Sequence, residues 1–260
     1  MLSNWSPSQY LKFEDHRTRP AIDLLARVIA DDPQSVTDIG CGPGNSTEIL
    51  VDRFPSANVT GLDSSPTMVE AAQKRLPEQG FEIGDVVRWK PKSQQDVLFA
   101  NAVLQWVPDH RSLFPRLLSH LKPGGTLAVQ MPDNLNEPTH AGMRLLARDA
   151  RWTDKLKDAE GERTSILSSS EYWTVLKQHA PNVDVWRTTY HHPLRGLNGI
   201  VEWFKGTGLI PYLRRLSEPE QADFLEDYRE LLSKHYPMMG DGTVLLPFPR
   251  LFVVARLQAG

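Results

Sequence analysis

Through the first half of the chain, short apolar runs alternate with segments whose apolar positions recur at helical spacing. Residues 35–39 form a brief apolar stretch that ends in glycines, and a helix is predicted over 46–54. Residues 58–62 read as a second strand ending at Asp63. Ser65 and Pro66 suit the N-cap and first position of a helix running to Arg75. A weaker strand at 81–83 is followed by an apolar one at 96–100. A helix over 111–121 is stopped by Lys122-Pro-Gly-Gly, and a fifth strand is expected at 126–131. Strands alternating with helices of this length predict a parallel sheet covered on both faces, a doubly wound α/β fold.

The second half reads differently. Residues 135–180 are mostly helical in pattern, with a charged, serine-rich stretch inside them, and 183–190 alternate like a strand. Residues 197–236 are helical again and rich in aromatics, and 251–255 form a last apolar strand after two prolines. The expected organisation is one domain, 1–260. It comprises an N-terminal helical arm or lid (1–30), a cofactor-binding core (31–134), helical cap insertions (135–182 and 195–240) and two late strands (183–194 and 243–258).

Charge and composition narrow the function. The formal net charge of −3 gives no global positive field to attract nucleic acid or an anionic membrane. No apolar run approaches the ~20 residues needed to span a bilayer, and the first ten residues lack the layout of a signal peptide. A single cysteine, Cys41, permits no internal disulfide and predicts a reducing compartment, the cytoplasm. Adjacent His191 and His192 would point to opposite faces of a strand, so no metal site is expected. No Gly-x-Ser-x-Gly elbow supports a hydrolase.

The sharpest chemistry lies in Asp38-Ile-Gly-Cys-Gly-Pro-Gly-Asn, between the first strand and the first helix. Gly40, Gly42 and Gly44 allow a tight turn and close approach to a ligand. A tight strand-to-helix turn alone would also use them. The spacing is Gly-x-Gly-x-Gly, not the Gly-x-Gly-x-x-Gly that cradles a dinucleotide pyrophosphate. Asp38 just before the loop suits a cationic amino group and is badly placed for a pyrophosphate. This speaks against a nicotinamide-dependent oxidoreductase. Asp63 stands roughly 20 residues beyond the loop, the distance of a carboxylate that grips ribose hydroxyls. Ser64 follows it, Met68 sits one turn into the next helix, Asp85 follows the third strand, and Asn101 follows the fourth.

Asp38-x-Gly-x-Gly-x-Gly, then Asp63, then Asp85, resembles the class I S-adenosylmethionine (AdoMet)-dependent methyltransferases. The resemblance implies a Rossmann-like, mostly parallel seven-stranded sheet of order 3-2-1-4-5-7-6. It also implies a glycine loop, with Cys41 in it, around the methionine part of the cofactor, Asp63 on ribose and Asp85 on adenine. Within that family the chain is most similar to a branch that esterifies a carboxylate of a small tricarboxylic acid. That likeness runs through Asn4-Trp-Ser-Pro-Ser-Gln-Tyr, Phe99-Ala-Asn-Ala-Val-Leu-Gln-Trp-Val-Pro-Asp-His, Glu137-Pro-Thr-His and Phe248-Pro-Arg-Leu-Phe. Residues 150–169 carry no pattern of the family.

A carboxylate acceptor is already ionised at neutral pH, so no general base is needed and no catalytic residue is expected. Trp106 is a candidate wall of the transfer site or a core residue. The acceptor's charge does require arginines or other donors. The candidates are Arg19, Arg144, Arg187 and Arg195, with His16, His110 and His140 beside them. Trp5 and Tyr10 are candidates for a lid over the cofactor. The expected partner is a small tricarboxylate, with neither nucleic acid nor membrane, and a monomer is compatible with the sequence. Two rivals stay open: a different small or carrier-bound acid as acceptor, and an AdoMet-binding protein without catalysis.

Overall fold

A computed structural model describes residues 14–159 and 165–260; for 14–17 it describes the backbone alone. The expected lid residues Trp5 and Tyr10 lie outside it. The elements in chain order are α1 (Glu14–Leu25), β1 (Ser35–Ile39), α2 (Asn45–Arg53), β2 (Asn58–Asp63), α3 (Pro66–Arg75) and β3 (Gly80–Ile83). Then come β4 (Gln95–Asn101), a 3-10 turn (Leu104–Trp106), α4 (His110–Ser119) and β5 (Leu121–Pro132). After β5 follow α5 (Pro138–Ala147), α6 (Thr153–Leu156), α7 (Ser169–Lys177), β6 (Asn182–Arg195), α8 (Gly196–Lys205), α9 (Ile210–Leu213), α10 (Glu218–Ser233) and β7 (Thr243–Arg256).

The seven strands form one sheet in the order β3-β2-β1-β4-β5-β7-β6. β1 runs parallel to both β2 and β4, with Asp38 opposite Gly61 on one side and Phe99 on the other. β2 pairs with β3 and β4 with β5, also in parallel. Central strands buried on both faces need continuous apolar runs. Val97 to Ala100 and Leu127 to Val129 supply them, all fully buried. β5 begins five residues earlier than the pattern predicts. The strand carries Lys122-Pro-Gly-Gly through a register shift against β4 between Gln95 and Val97, so these residues bend the ladder instead of ending it.

The chain divides into two compact units. The first comprises 1–132, 166–188 and 251–260. Its helix α1 packs on α2 and β5, burying Ala21, Leu24 and Leu25. The described part of the expected arm is therefore built into this unit. Helix α7, in the segment expected as cap, also belongs here. A capping box fixes its start: Ser168 Oγ accepts from the Glu171 N–H, and the Glu171 carboxylate accepts from the Ser168 N–H. Its buried Tyr172 then packs against Phe114 of α4.

The second unit comprises 133–165 and 189–250. Helix α10 packs on α5 and α8 through Phe224, Tyr228 and Leu232, all fully buried. The buried Tyr228 hydroxyl donates to the Thr139 carbonyl at 3.2 Å. On its rim Arg151 pairs with Asp223 and Asp227, and Lys155 with Glu220. Among the described residues no helix is long and apolar enough to cross a membrane.

One polar pair inside the first unit's core is open to test. His110 Nε2 donates to the Leu104 carbonyl at 2.8 Å, which leaves Nδ1 to accept from the Tyr172 hydroxyl. Tyr172→Phe strands that nitrogen in a dry site and is expected to cost ~1–3 kcal/mol. Urea unfolding measures this, and an unchanged midpoint would show that the pair contributes nothing.

Candidate functional site

The carboxyl ends of β1, β2 and β4 converge in the first unit, where parallel sheets of this order bind ligands. Beyond Ile39 the backbone turns three times through the left-handed region, at Gly40 (φ 71°), Gly42 (φ 55°) and Gly44 (φ 94°). A side chain at Gly40 would also meet Val103 at 2.3 Å, whereas the space at Gly42 is open. The loop is tied to β2. The Gly40 and Cys41 N–H groups both donate to the Leu62 carbonyl, at 2.7 and 3.0 Å. The Gly42 N–H donates to Asp63 Oδ2 at 2.9 Å, and the Ser65 N–H to Asp63 Oδ1 at 2.8 Å. Burial nevertheless holds the Asp63 carboxyl above its ordinary pKa, with these N–H donors opposing it. The neighbouring Ser64 is exposed.

Asp38 lies at the floor, with no exposed surface. Ser46 Oγ and Thr47 Oγ1 donate to its Oδ2, at 2.6 and 2.7 Å. Its Oδ1 is buried and accepts no hydrogen bond from the described residues. Burial pushes the Asp38 carboxyl up to about 6, against the pull of the two hydroxyls. Cys41 is shifted upward by burial and by the nearby Asp38 and Asp63 charges, so it remains a thiol at neutral pH. A cleft opens above, lined by Thr18, Ala21, Gly40, Cys41, Asn45, Ser46 and Asn101. The Asn101 Oδ1 is buried and likewise accepts none from the described residues. Acceptor oxygens without donors beside an open glycine loop fit a ligand that brings a cationic amino group.

The other predicted residues are distributed unevenly. Met68 is buried on α3 beside Val69 and Ala72. Asp85 sits just past β3, half-buried, where its Oδ1 accepts from the Val87 N–H at 2.9 Å. Trp106 is half-buried in the turn after β4. His110 must be corrected: both ring nitrogens are engaged in the core, burial lowers its pKa, and it has no nitrogen to offer a substrate. Arg19 is exposed on α1, His16 lies on the same helix, and Arg187 is exposed on β6. In the second unit Arg144 is half-buried on α5, Arg195 is exposed at the start of α8, and His140 is buried edge-on to Phe204.

Sequence reasoning missed Ser46 and Thr47, the groups that hold Asp38. The available signal was two hydroxyls in the first turn of the helix that the loop feeds. It also missed Thr18 and Ala21, which only the packing of α1 brings to the cleft. Arg250 was overlooked too: it is 3% exposed, in the second unit.

Comparison with known proteins agrees with this geometry. A family described as a methyltransferase domain matches residues 37–127. The trans-aconitate 2-methyltransferase of Methylobacterium nodulans is 55% identical over 98% of this chain and 99% of its own. That of Yersinia pestis is 49% identical over 99% of this chain and 100% of its own. Among solved structures, the YcgJ protein of Bacillus subtilis has a TM-score of 0.59 at 16% identity, covering 95% of this chain and all of that one. Haemonchus contortus phosphoethanolamine N-methyltransferase 2, solved with S-adenosylhomocysteine, has a TM-score of 0.56 at 17% identity, covering 92% of this chain and 53% of that one. These two likenesses show the fold.

The buried acid sets a pH dependence. Asp38 holds its proton more tightly in the folded chain, from an ordinary value of 3.8 to about 6. Its contribution to stability is therefore full below about pH 4 and is lost as pH rises through about 6. A cation against Oδ1 favours the carboxylate instead. Affinity for S-adenosylhomocysteine is thus expected to weaken ~10-fold per pH unit below about 6, and Asp38→Asn is expected to flatten the dependence. Calorimetric titration between pH 5 and 7.5 measures it; constant wild-type affinity would remove Asp38 from this role. Asp63→Ala cuts the tie between the loop and β2 and is expected to weaken the same affinity by ~10–100-fold.

Proposed function

The chain belongs to the trans-aconitate 2-methyltransferases, and on that footing we propose that it transfers a methyl group from AdoMet to one carboxylate of trans-aconitate. The products are a monomethyl ester and S-adenosylhomocysteine. The observation that carries this reading is the near-complete coverage, at about half identity, by relatives of that name. Relatives sharing only the cofactor core would have matched the first half alone.

We assign the cofactor's amino group to Asp38, its ribose to Asp63 and its adenine to the Asp85 side of the cleft. Gly40, Cys41, Gly42, Gly44, Ser64, Met68 and Asn101 complete that set. AdoMet supplies an electrophilic methyl group on a sulfonium. A carboxylate oxygen of the acceptor donates an electron pair to that carbon, the carbon–sulfur pair stays on sulfur, and no proton moves. The acceptor's carboxyl has a pKa near ~4 in water, so it arrives ionised and the protein needs no base. Its own task is alignment, which in favourable cases is worth ~7–11 kcal/mol. Trp106, after β4, is the proposed wall beside the reacting groups. Arg19, Arg144, Arg187 and Arg195 are the proposed attractors of the acceptor's charge.

Transfer of labelled methyl from AdoMet to trans-aconitate is the direct test. Binding of the cofactor without turnover on trans-aconitate would defeat the reading, and turnover on a carrier-bound acid instead would redirect it. No His→Ala variant that folds is expected to lose turnover. A folded histidine variant with normal cofactor affinity and no activity would overturn the base-free mechanism.

A further inference from the structure

Helix α2 starts from Gly44 in the left-handed region, and no side chain caps its first turn. Ser46 and Thr47 occupy that turn. Serine and threonine hydroxyls commonly bond to nearby backbone groups. Here both give their single proton to Asp38 Oδ2, from Ser46 Oγ at 2.6 Å and from Thr47 Oγ1 at 2.7 Å. Both residues are buried, Thr47 completely. Ser46 lines the cleft, whereas Thr47 is not among the residues that line it, so Thr47 meets a ligand there only through Asp38.

An aspartate carboxylate turns easily about its last torsion unless something holds it. Two donors on one oxygen fix its plane, and the other oxygen, Oδ1, has no donor among the described residues. The same donors decide where an acid proton goes. The lone pairs of Oδ2 are engaged, so the proton falls on Oδ1 and turns it from an acceptor into a donor. An ammonium group carries donors only and needs the acceptor. The other groups around Asp38 favour the protonated form or carry no charge. Burial and the Asp63 carboxylate at the end of β2 both favour it. Cys41 of the loop remains a thiol. The strand neighbours Gly61 and Phe99 are uncharged, as are Thr18 and Ala21 of α1 at the cleft. Glu48, next in α2, pairs with Arg75 of α3. Among the described residues, the two hydroxyls are the side chains that hold this carboxylate ionised.

We propose that Ser46 and Thr47 are positioning residues, which fix the oxygen of Asp38 that meets the cofactor's amino group and so set how far into acid the cofactor stays bound. The proposal rests on the assignment of that amino group to Asp38 made above. Neither hydroxyl has a second proton to offer the ligand, so both act through the carboxylate.

The test uses the full-length chain and two measurements. Calorimetry reads affinity for S-adenosylhomocysteine between pH 5 and 8. Carboxyl-carbon NMR of the ligand-free chain reads Asp38 itself, with Asp38→Asn identifying its signal. Thr47→Val keeps the shape of the side chain and removes the donor. It is expected to raise the midpoint of both titrations by ~1 pH unit from the wild-type value of about 6. Affinity at pH 6 then falls ~5-fold more than affinity at pH 8. Thr47→Ser restores the donor and is expected to keep both midpoints at the wild-type pH. Ser46→Ala should move them upward as Thr47→Val does. In an Asp38→Asn background, Thr47→Val should leave the pH dependence of affinity unchanged.

A carboxyl midpoint that Thr47→Val leaves in place, or that Thr47→Ser moves equally far, would overturn the proposal. Should Thr47→Val fail to fold, Ser46→Ala decides, and an unmoved midpoint there is equally fatal. A carboxyl midpoint that moves while affinity does not follow it defeats the assignment of the amino group to Asp38, and the proposal with it. An unmoved carboxyl midpoint defeats the proposal alone and leaves that assignment standing.

Discussion

The bond between the Gly42 N–H and the Asp63 carboxylate fixes the position of everything at the first unit's cleft. A loop that passes through the left-handed region at three glycines gains nothing from a helical or sheet ladder. It keeps its shape because neighbouring strands hold it. β2 does this twice, with the Leu62 carbonyl accepting from two loop N–H groups and Asp63 accepting from a third. The same carboxylate takes the Ser65 N–H at the entry to α3. One side chain therefore sets the loop, the end of β2 and the start of the next helix together.

That arrangement leaves an acidic residue at a cost. Asp38 is fully buried beneath the loop, with two hydroxyls on one oxygen and, among the described residues, no donor on the other. Desolvation outweighs the hydroxyls and raises its pKa. A cationic ligand group placed against that oxygen would reverse the balance, whereas a phosphate would add to the repulsion.

The second unit contributes different chemistry. It contains a densely aromatic core and a buried arginine, set within helices that the cofactor fold does not require. Asp38, Asp63 and the glycine loop lie in the first unit, and a buried arginine lies among aromatic rings in the second. Transfer of a methyl group to an already ionised carboxylate needs no proton-transfer group.

Much of this was legible in the residues. The alternation of strands and helices, the strand order implied by the family resemblance, the glycine spacing and the positions of Asp38, Asp63 and Asp85 all follow from local pattern and short-range chemistry. A turn needing positive φ must recruit glycine wherever it occurs, and Pro66 after Ser65 announces a helix start without any tertiary partner. Other features depend on distant contacts. β5 passes through Lys122-Pro-Gly-Gly because β4 offers it a shifted register. α7 belongs with α4 because Tyr172 finds Phe114 and His110, so a segment that reads as cap is core. His110 looks like any polar residue after a strand until both nitrogens are accounted for. Arg250 carries a charge that no local rule buries. Periodicity and turn chemistry are encoded within a few residues, whereas burial and hydrogen-bond partnership are properties of which distant segments meet.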